Sequence, residues 1–200
     1  EYSQTYPLMK RIYDVSVIKG FFNASEWTSA YKDVVCPGEG RIIIDKVIID
    51  AKDSEYSESM LLGRRVKAYV KGAGKDALPK IFLVIPDDEN MEIYSFSSED
   101  VTSANGGEIK FYAGTKDKTV SLNYPTLIYN GEADFNAGRS EIISLLDNYN
   151  TQITVVKDKT PGSNAVVFVD EYINAEVTTV DANEGYIYAK DISKTSHKIP

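Results

Sequence analysis

The feature that most constrains the fold is an alternation of strand length, cut at short intervals by turn-forming residues. Arg64 to Lys71 shows it most clearly: Val66, Ala68 and Val70 share one face, and Arg65, Lys67, Tyr69 and Lys71 the other. Successive side chains of a strand point to opposite sides, so this pattern describes a strand half buried and half wet. Glu108 to Ala113 repeats it, with Ile109 and Phe111 inward. Arg41 to Asp50 (RIIIDKVIID) is apolar on both faces and reads as one strand buried on two sides. Lys80 to Ile85 reads as another buried strand. Pro86-Asp87-Asp88-Glu89-Asn90 then turns it into Met91 to Phe96, a hairpin with a long loop.

Further strands are expected at Ile12 to Ile18, Thr119 to Leu122, Thr126 to Tyr129, Thr151 to Lys157, Ala165 to Ile173, Glu176 to Val180 and Tyr186 to Lys190. Turns are expected at Gly72-Ala73-Gly74, Asn105-Gly106-Gly107, Pro161 to Asn164 and Asp181 to Gly185. Asp53 to Ser59 is polar and acidic, as a loop is.

Helical spacing occurs in two places. Asn23 is a capping residue with Glu26 three positions on, and Trp27, Ala30, Tyr31 and Val34 follow at helical intervals up to Cys36-Pro37-Gly38. This spacing predicts a helix with Trp27 in the core. Ile142, Ile143, Leu145, Leu146 and Tyr149 predict a second helix over Ser140 to Tyr149.

About ten to twelve short strands, two short helices and no regular βαβ alternation point to a mainly β protein. The expected fold is an antiparallel β-sandwich or jelly-roll-like domain, with α+β as the alternative. An extended N-terminal arm is expected at 1–10, a single β-rich domain at 11–190, and a polar, extended C-terminal tail at 191–200. The glycines at 105 to 107 are the weakest candidate for a boundary. A chain of 200 residues, 42% hydrophobic, has ample apolar material for one core. A start at Glu1 fits either removal of a leader or a fragment.

Composition weighs against several functions. The chain has one histidine, His197, and one cysteine, Cys36. A Ser-His-Asp or Cys-His site would need a histidine in a polar terminal stretch, and a zinc site has at most one ligand of each kind. Gly72-Ala73-Gly74-Lys75 lacks the spacing of a phosphate loop. Net charge is −8, and the basic clusters Lys10-Arg11 and Arg64 to Lys67 lie near acidic residues, so no nucleic-acid partner is expected. The apolar runs, such as Ile81 to Ile85, are too short to insert in a membrane. One cysteine forms no internal disulfide. Asn23-Ala24-Ser25 matches the glycosylation triplet.

Carboxylates and tyrosines are the plentiful functional groups. Asp50, Asp53 and Glu55 gather at the end of a strand, where facing carboxylates would serve glycoside hydrolysis. Asp87 to Asn90 offers oxygen ligands, and calcium is the one cofactor the composition leaves open; the spaced ligand pattern of a calcium loop is missing. Asp181 to Gly185 offers the same groups, but a hairpin turn needs them in any case. Among 14 Tyr, Tyr69 and Tyr112 fall on the polar faces of alternating strands and are the expected exposed, ligand-binding rings; Tyr94 is a weaker third.

The reading that follows is a non-enzymatic structural or protein-interaction β-sandwich. Its partners are other protein subunits, its own copies included, as in a virion or cell-surface assembly. Such a role favours an extracellular or virion-associated setting. The first alternative is a secreted carbohydrate-binding module that uses Tyr69 and Tyr112. The second is a carboxylate-based glycosidase.

Overall fold

In the computed structural model the strands among the described residues assemble into four sheets, and the protein is mainly β, with a sandwich-like arrangement of largely antiparallel strands. The structure describes residues 10–11, 13–52, 61–72, 77–148, 150–182, 185–191 and 194–199. The 1–9 part of the expected arm, the 53–59 loop, Gly74 and Tyr149 lie outside them. The chain divides into two units, Glu1–Asp170 and Glu171–Pro200.

The first unit begins with a closed barrel of β1 (Ser16–Ala24), β2 (Arg41–Ile44), β3 (Val47–Asp50), β4 (Arg65–Lys71) and β5 (Lys80–Pro86), in the order β1-β2-β3-β5-β4. β4 pairs antiparallel with β1, and β3 meets β5 in parallel at Asp50 and Lys80. Closure leaves no open edge. Phe22, Ile42, Ile44, Ile49, Val66, Ala68 and Val70 are buried, which bears out the inward face read in β4.

Several expectations for this region need correction. Arg41 to Asp50 is a hairpin, not one strand: Ile44 pairs with Val47 across a turn at Asp45 and Lys46. Asp45 adopts φ 52°, a left-handed conformation that aspartate tolerates better than most residues. The turn sets Val47 opposite buried Ile44 and Ile48 opposite Ile43, and Val47 and Ile48 are both exposed.

The first helix does not form. β1 runs through Asn23 to Ala24, which bridges to Ser29. Ser25 Oγ accepts hydrogen bonds from the amides of Trp27 (3.1 Å) and Thr28 (3.0 Å). This side-chain bonding competes with a helical ladder. Glu26 accepts from the Gly40 amide instead of capping. Trp27 is therefore 74% exposed, not core.

The 80–85 strand is not fully buried. A bulge pairs Ile81 with Val70 and Leu83 with Tyr69, leaving Phe82 extra; Phe82 and Leu83 are both exposed. Nor does it form a hairpin with the next strand. A 3-10 turn at Asp88–Asn90 intervenes, anchored to the barrel by Lys67 to Asp87 at 2.8 Å and by Arg64 to Asp88.

Next along the chain come β6 (Met91–Ser97), the meander β7 (Val101–Asn105), β8 (Glu108–Ala113) and β9 (Lys116–Ser121), then β10 (Thr126–Tyr129), β11 (Glu132–Asp134), α1 (Arg139–Leu145), β12 (Thr151–Asp158) and β13 (Ala165–Glu171). The expected turn at 105–107 joins β7 to β8, with Gly106 and Gly107 at positive φ. The first strand begins at Ser16; Tyr13 is helical. α1 is shorter than the periodicity suggests, and Ile142 is its buried residue.

A central sheet, β11-β10-β13-β12-β6, is packed on both faces. Ile128, Val156, Val166 and Phe168 join the barrel core. Leu127, Ile153, Val155, Val167 and Val169 face the other way, against Ile109, Phe111, Val120 and Leu122 of the meander and Ile142 and Leu146 near α1. Burial on both sides explains the unbroken apolar run Ala165 to Val169.

The second unit is an antiparallel sheet of β14 (Ala175–Asp181), β15 (Tyr186–Asp191) and β16 (Ser196–Ile199). β16 falls in the segment expected to be a tail, and is paired through Ala189 with His197 and Ile187 with Ile199. His197 Nε2 lies 2.9 Å from Asp191 Oδ2.

Candidate interaction surface

The tyrosines named from alternation part company. Tyr112 is 52% exposed on β8, as expected. Tyr69 is only 4% exposed, which corrects its expected exposure. β4 is paired on both edges, with Val17 and Leu83 flanking Tyr69, and inside a multilayer protein the second face of a central strand need not meet water. The two rings lie in different sheets, so they share no platform. Tyr94 is part-buried, edge-on to Phe111 at 5.7 Å, with Lys118 Nζ 5.5 Å from its ring centroid. Burial, then the Glu92 charge, raises its hydroxyl pKa.

The acidic clusters are engaged in structure. Asp50 accepts from the Lys52 amide at 3.2 Å and sits 3.8 Å from Lys80 Nζ; Asp53 and Glu55 lie outside the described residues. Asp87 and Asp88 hold basic side chains, and Lys159 Nζ donates to the Glu89 carbonyl at 2.7 Å. Among the described residues no three His, Cys, Asp or Glu side chains gather as a metal site, and no helix is long and apolar enough to cross a membrane. Cys36 is a half-buried thiol. Asn23 of the glycosylation triplet donates its amide to the Asp45 carbonyl at 2.8 Å.

Two surfaces stand out instead. The first is in the second unit. The register sets Val180 opposite Ile187, and Ile187 opposite Ile199. Directly paired residues share a face, so these three form a row across the sheet. They are 63%, 37% and 43% exposed. Val177 follows on β14, also exposed. The opposite face carries Tyr186 and Tyr188 beneath Lys198, whose Nζ is 3.8 Å and 5.8 Å from their ring centroids. Sequence reasoning missed the row because it assigned Ile199 to a polar, extended tail outside the β-rich domain. The usable signal was the hairpin expected at 181–185, which brings the strands of Val180 and Ile187 together; the register that pairs these two residues came only from the structure.

The second surface is in the first unit. Trp27 stands at the rim of a cavity of about 350 Å³ walled by Leu62, Ile128 and Phe168, with Thr28, Gly131 and Asp170 completing it. The Ser25-centred turn places the indole, and Thr28 Oγ1 secures it by donating to the Gly131 carbonyl at 2.9 Å. Burial raises the Asp170 carboxyl pKa. No protein-family model, curated protein or solved structure matches the chain.

Proposed function

We propose that this chain is a non-enzymatic interaction protein that docks on other protein subunits, copies of itself included. The observation that supports it is the Val180–Ile187–Ile199 row. A three-stranded sheet of this size gains stability from a covered apolar face. Here the apolar row faces solvent, as a surface awaiting a partner does. The rim position of Trp27 over an apolar cavity supports the same reading, because tryptophan is enriched where interfaces concentrate binding energy. Assembly into a virion or cell-surface structure is the setting this role suits.

The test is light scattering coupled to size exclusion over a concentration series. Association gives a mass above 22.2 kDa that grows with concentration, and Val180→Lys with Ile187→Lys returns it to the single-chain value. A single-chain mass at every concentration would overturn self-docking.

A further inference from the structure

We infer that the junction of the barrel with the β12–β13 loop is a binding site for a neutral polyhydroxylated ring, of the kind a pyranose sugar presents. This goes beyond the docking role, resting on a separate cavity of about 350 Å³ whose walls include Phe21, Asn23, Tyr31, Asp45, Lys157 and Asp158. That volume lies within the range of small-ligand sites.

The cavity presents hydrogen-bonding groups that the protein leaves unused. Asn23 Oδ1 is buried and accepts no hydrogen bond. Its amide donates to the Asp45 carbonyl, which fixes the side chain and leaves the oxygen as its unpaired atom. Asp45 Oδ1 accepts from the Phe21 amide at 2.8 Å, and among the described residues Oδ2 has no donor. The Tyr31 hydroxyl has no partner among them either; burial, then the charges of Asp158 and Asp45, raises its pKa and keeps it a neutral donor and acceptor. A buried acceptor without a donor is left desolvated and unpaired, so a ligand that supplies the donor recovers that cost.

The chemistry of the walls selects the ligand. Two acceptors and one hydroxyl ask for adjacent O–H groups. Lys157, paired with Glu92 at 3.1 Å, opposes a cation, while Asp45 opposes an anion. Phe21 gives an apolar wall for the C–H face of a ring; the Arg65 guanidinium occupies its other neighbourhood at 4.4 Å from the centroid.

The experiment screens monosaccharides and short glycans against the full chain by ligand-observed NMR, then titrates the best binder calorimetrically. Tyr31→Phe removes only the hydroxyl. Asp45→Asn suits the positive φ and keeps the acceptor for the Phe21 amide, but turns the free oxygen into a donor. Each lowers affinity about five- to tenfold, the value of one hydrogen bond. Tyr124→Phe, an exposed tyrosine elsewhere, leaves affinity unchanged, and unfolding midpoints of all variants confirm folding. Binding of free monosaccharides identifies a small-molecule ligand; binding of glycan termini alone identifies a glycan. The inference is overturned if nothing in the panel binds the unmodified chain, or if neither cavity substitution weakens the binder. Both results are independent of whether the chain self-associates.

Discussion

The carboxylate of Asp45 rests directly over Gly20, so close that a Cβ on residue 20 would overlap Asp45 Cγ and both oxygens. Gly20 lies on β1 and Asp45 in the β2–β3 turn, so the missing side chain is what lets the turn fold down and reach the Phe21 amide. Gly20→Ala must push the turn away. The expected cost is about 1–3 kcal/mol, as for other overpacked sites. In urea unfolding, the midpoint falls with an unchanged slope. An unshifted midpoint would show that the turn moves aside freely.

Asp158 ties the end of β12 to the barrel. Its carboxylate accepts from the Thr160 hydroxyl, from the Thr160 amide at 2.8 Å and from Arg65 Nε at 2.8 Å. These bonds, the Thr160 hydroxyl foremost, hold its pKa at about 2, below the ordinary 3.8. A lowered folded-state pKa means the stabilisation is complete above the ordinary value and disappears as pH falls from 3.8 through about 2. Asp158→Asn is expected to lose about 1–2 kcal/mol at neutral pH, discounted for the partly exposed Arg65. The gap between variant and parent closes in that acid window. A gap that persists at pH 2 would assign the effect to packing.

Trp27 is the chain's one tryptophan, so fluorescence excited beyond the absorption of its 14 tyrosines reports the environment of Trp27 alone. At 74% exposure it should emit at the red end of the tryptophan range and be strongly quenched by acrylamide. Trp27→Ala should change stability by less than about 0.5 kcal/mol, as for surface positions. Blue-shifted, protected emission from the isolated chain would contradict the exposed placement; the same shift appearing with concentration would mark association over it.

Ser25 holds the turn that displays Trp27. Ser25→Ala removes the acceptor for the amides of Trp27 and Thr28. The expected destabilisation is about 1–2 kcal/mol, comparable with the loss of a helix cap. Amide hydrogen exchange checks it locally: Trp27 and Thr28 should exchange faster while Val66 and Ala68 in the barrel stay protected.

Much of the β content was legible because it depends on a period of two. The inward faces of β4 and β8 followed from alternation alone, since Val66, Ala68, Ile109 and Phe111 recur at every second position. The Asn105-Gly106-Gly107 turn was legible for a similar local reason, because left-handed backbone suits glycine. Trp27 was misjudged because one hydroxyl, that of Ser25, outweighs helical spacing over a short segment. Arg41 to Asp50 was misjudged because Asp-Lys is an unusual hairpin turn, and apolar residues on both sides of it resemble a continuous buried strand.

The candidate sites divide the same way. Exposure of Tyr112 followed from its own strand, whereas burial of Tyr69 depends on what lies over the outer face of β4. The sequence by itself determined the mainly β class, the inward faces of single strands, the acidic charge and the scarcity of histidine and cysteine. These are local or summed properties that no pairing alters. Only the tertiary structure decided which strands close the barrel, that Val180, Ile187 and Ile199 align in one exposed row, and that Asn23, Tyr31 and Asp45 meet at one cavity. Those outcomes depend on register between segments distant in the chain, and register is set by the collective packing of both partners.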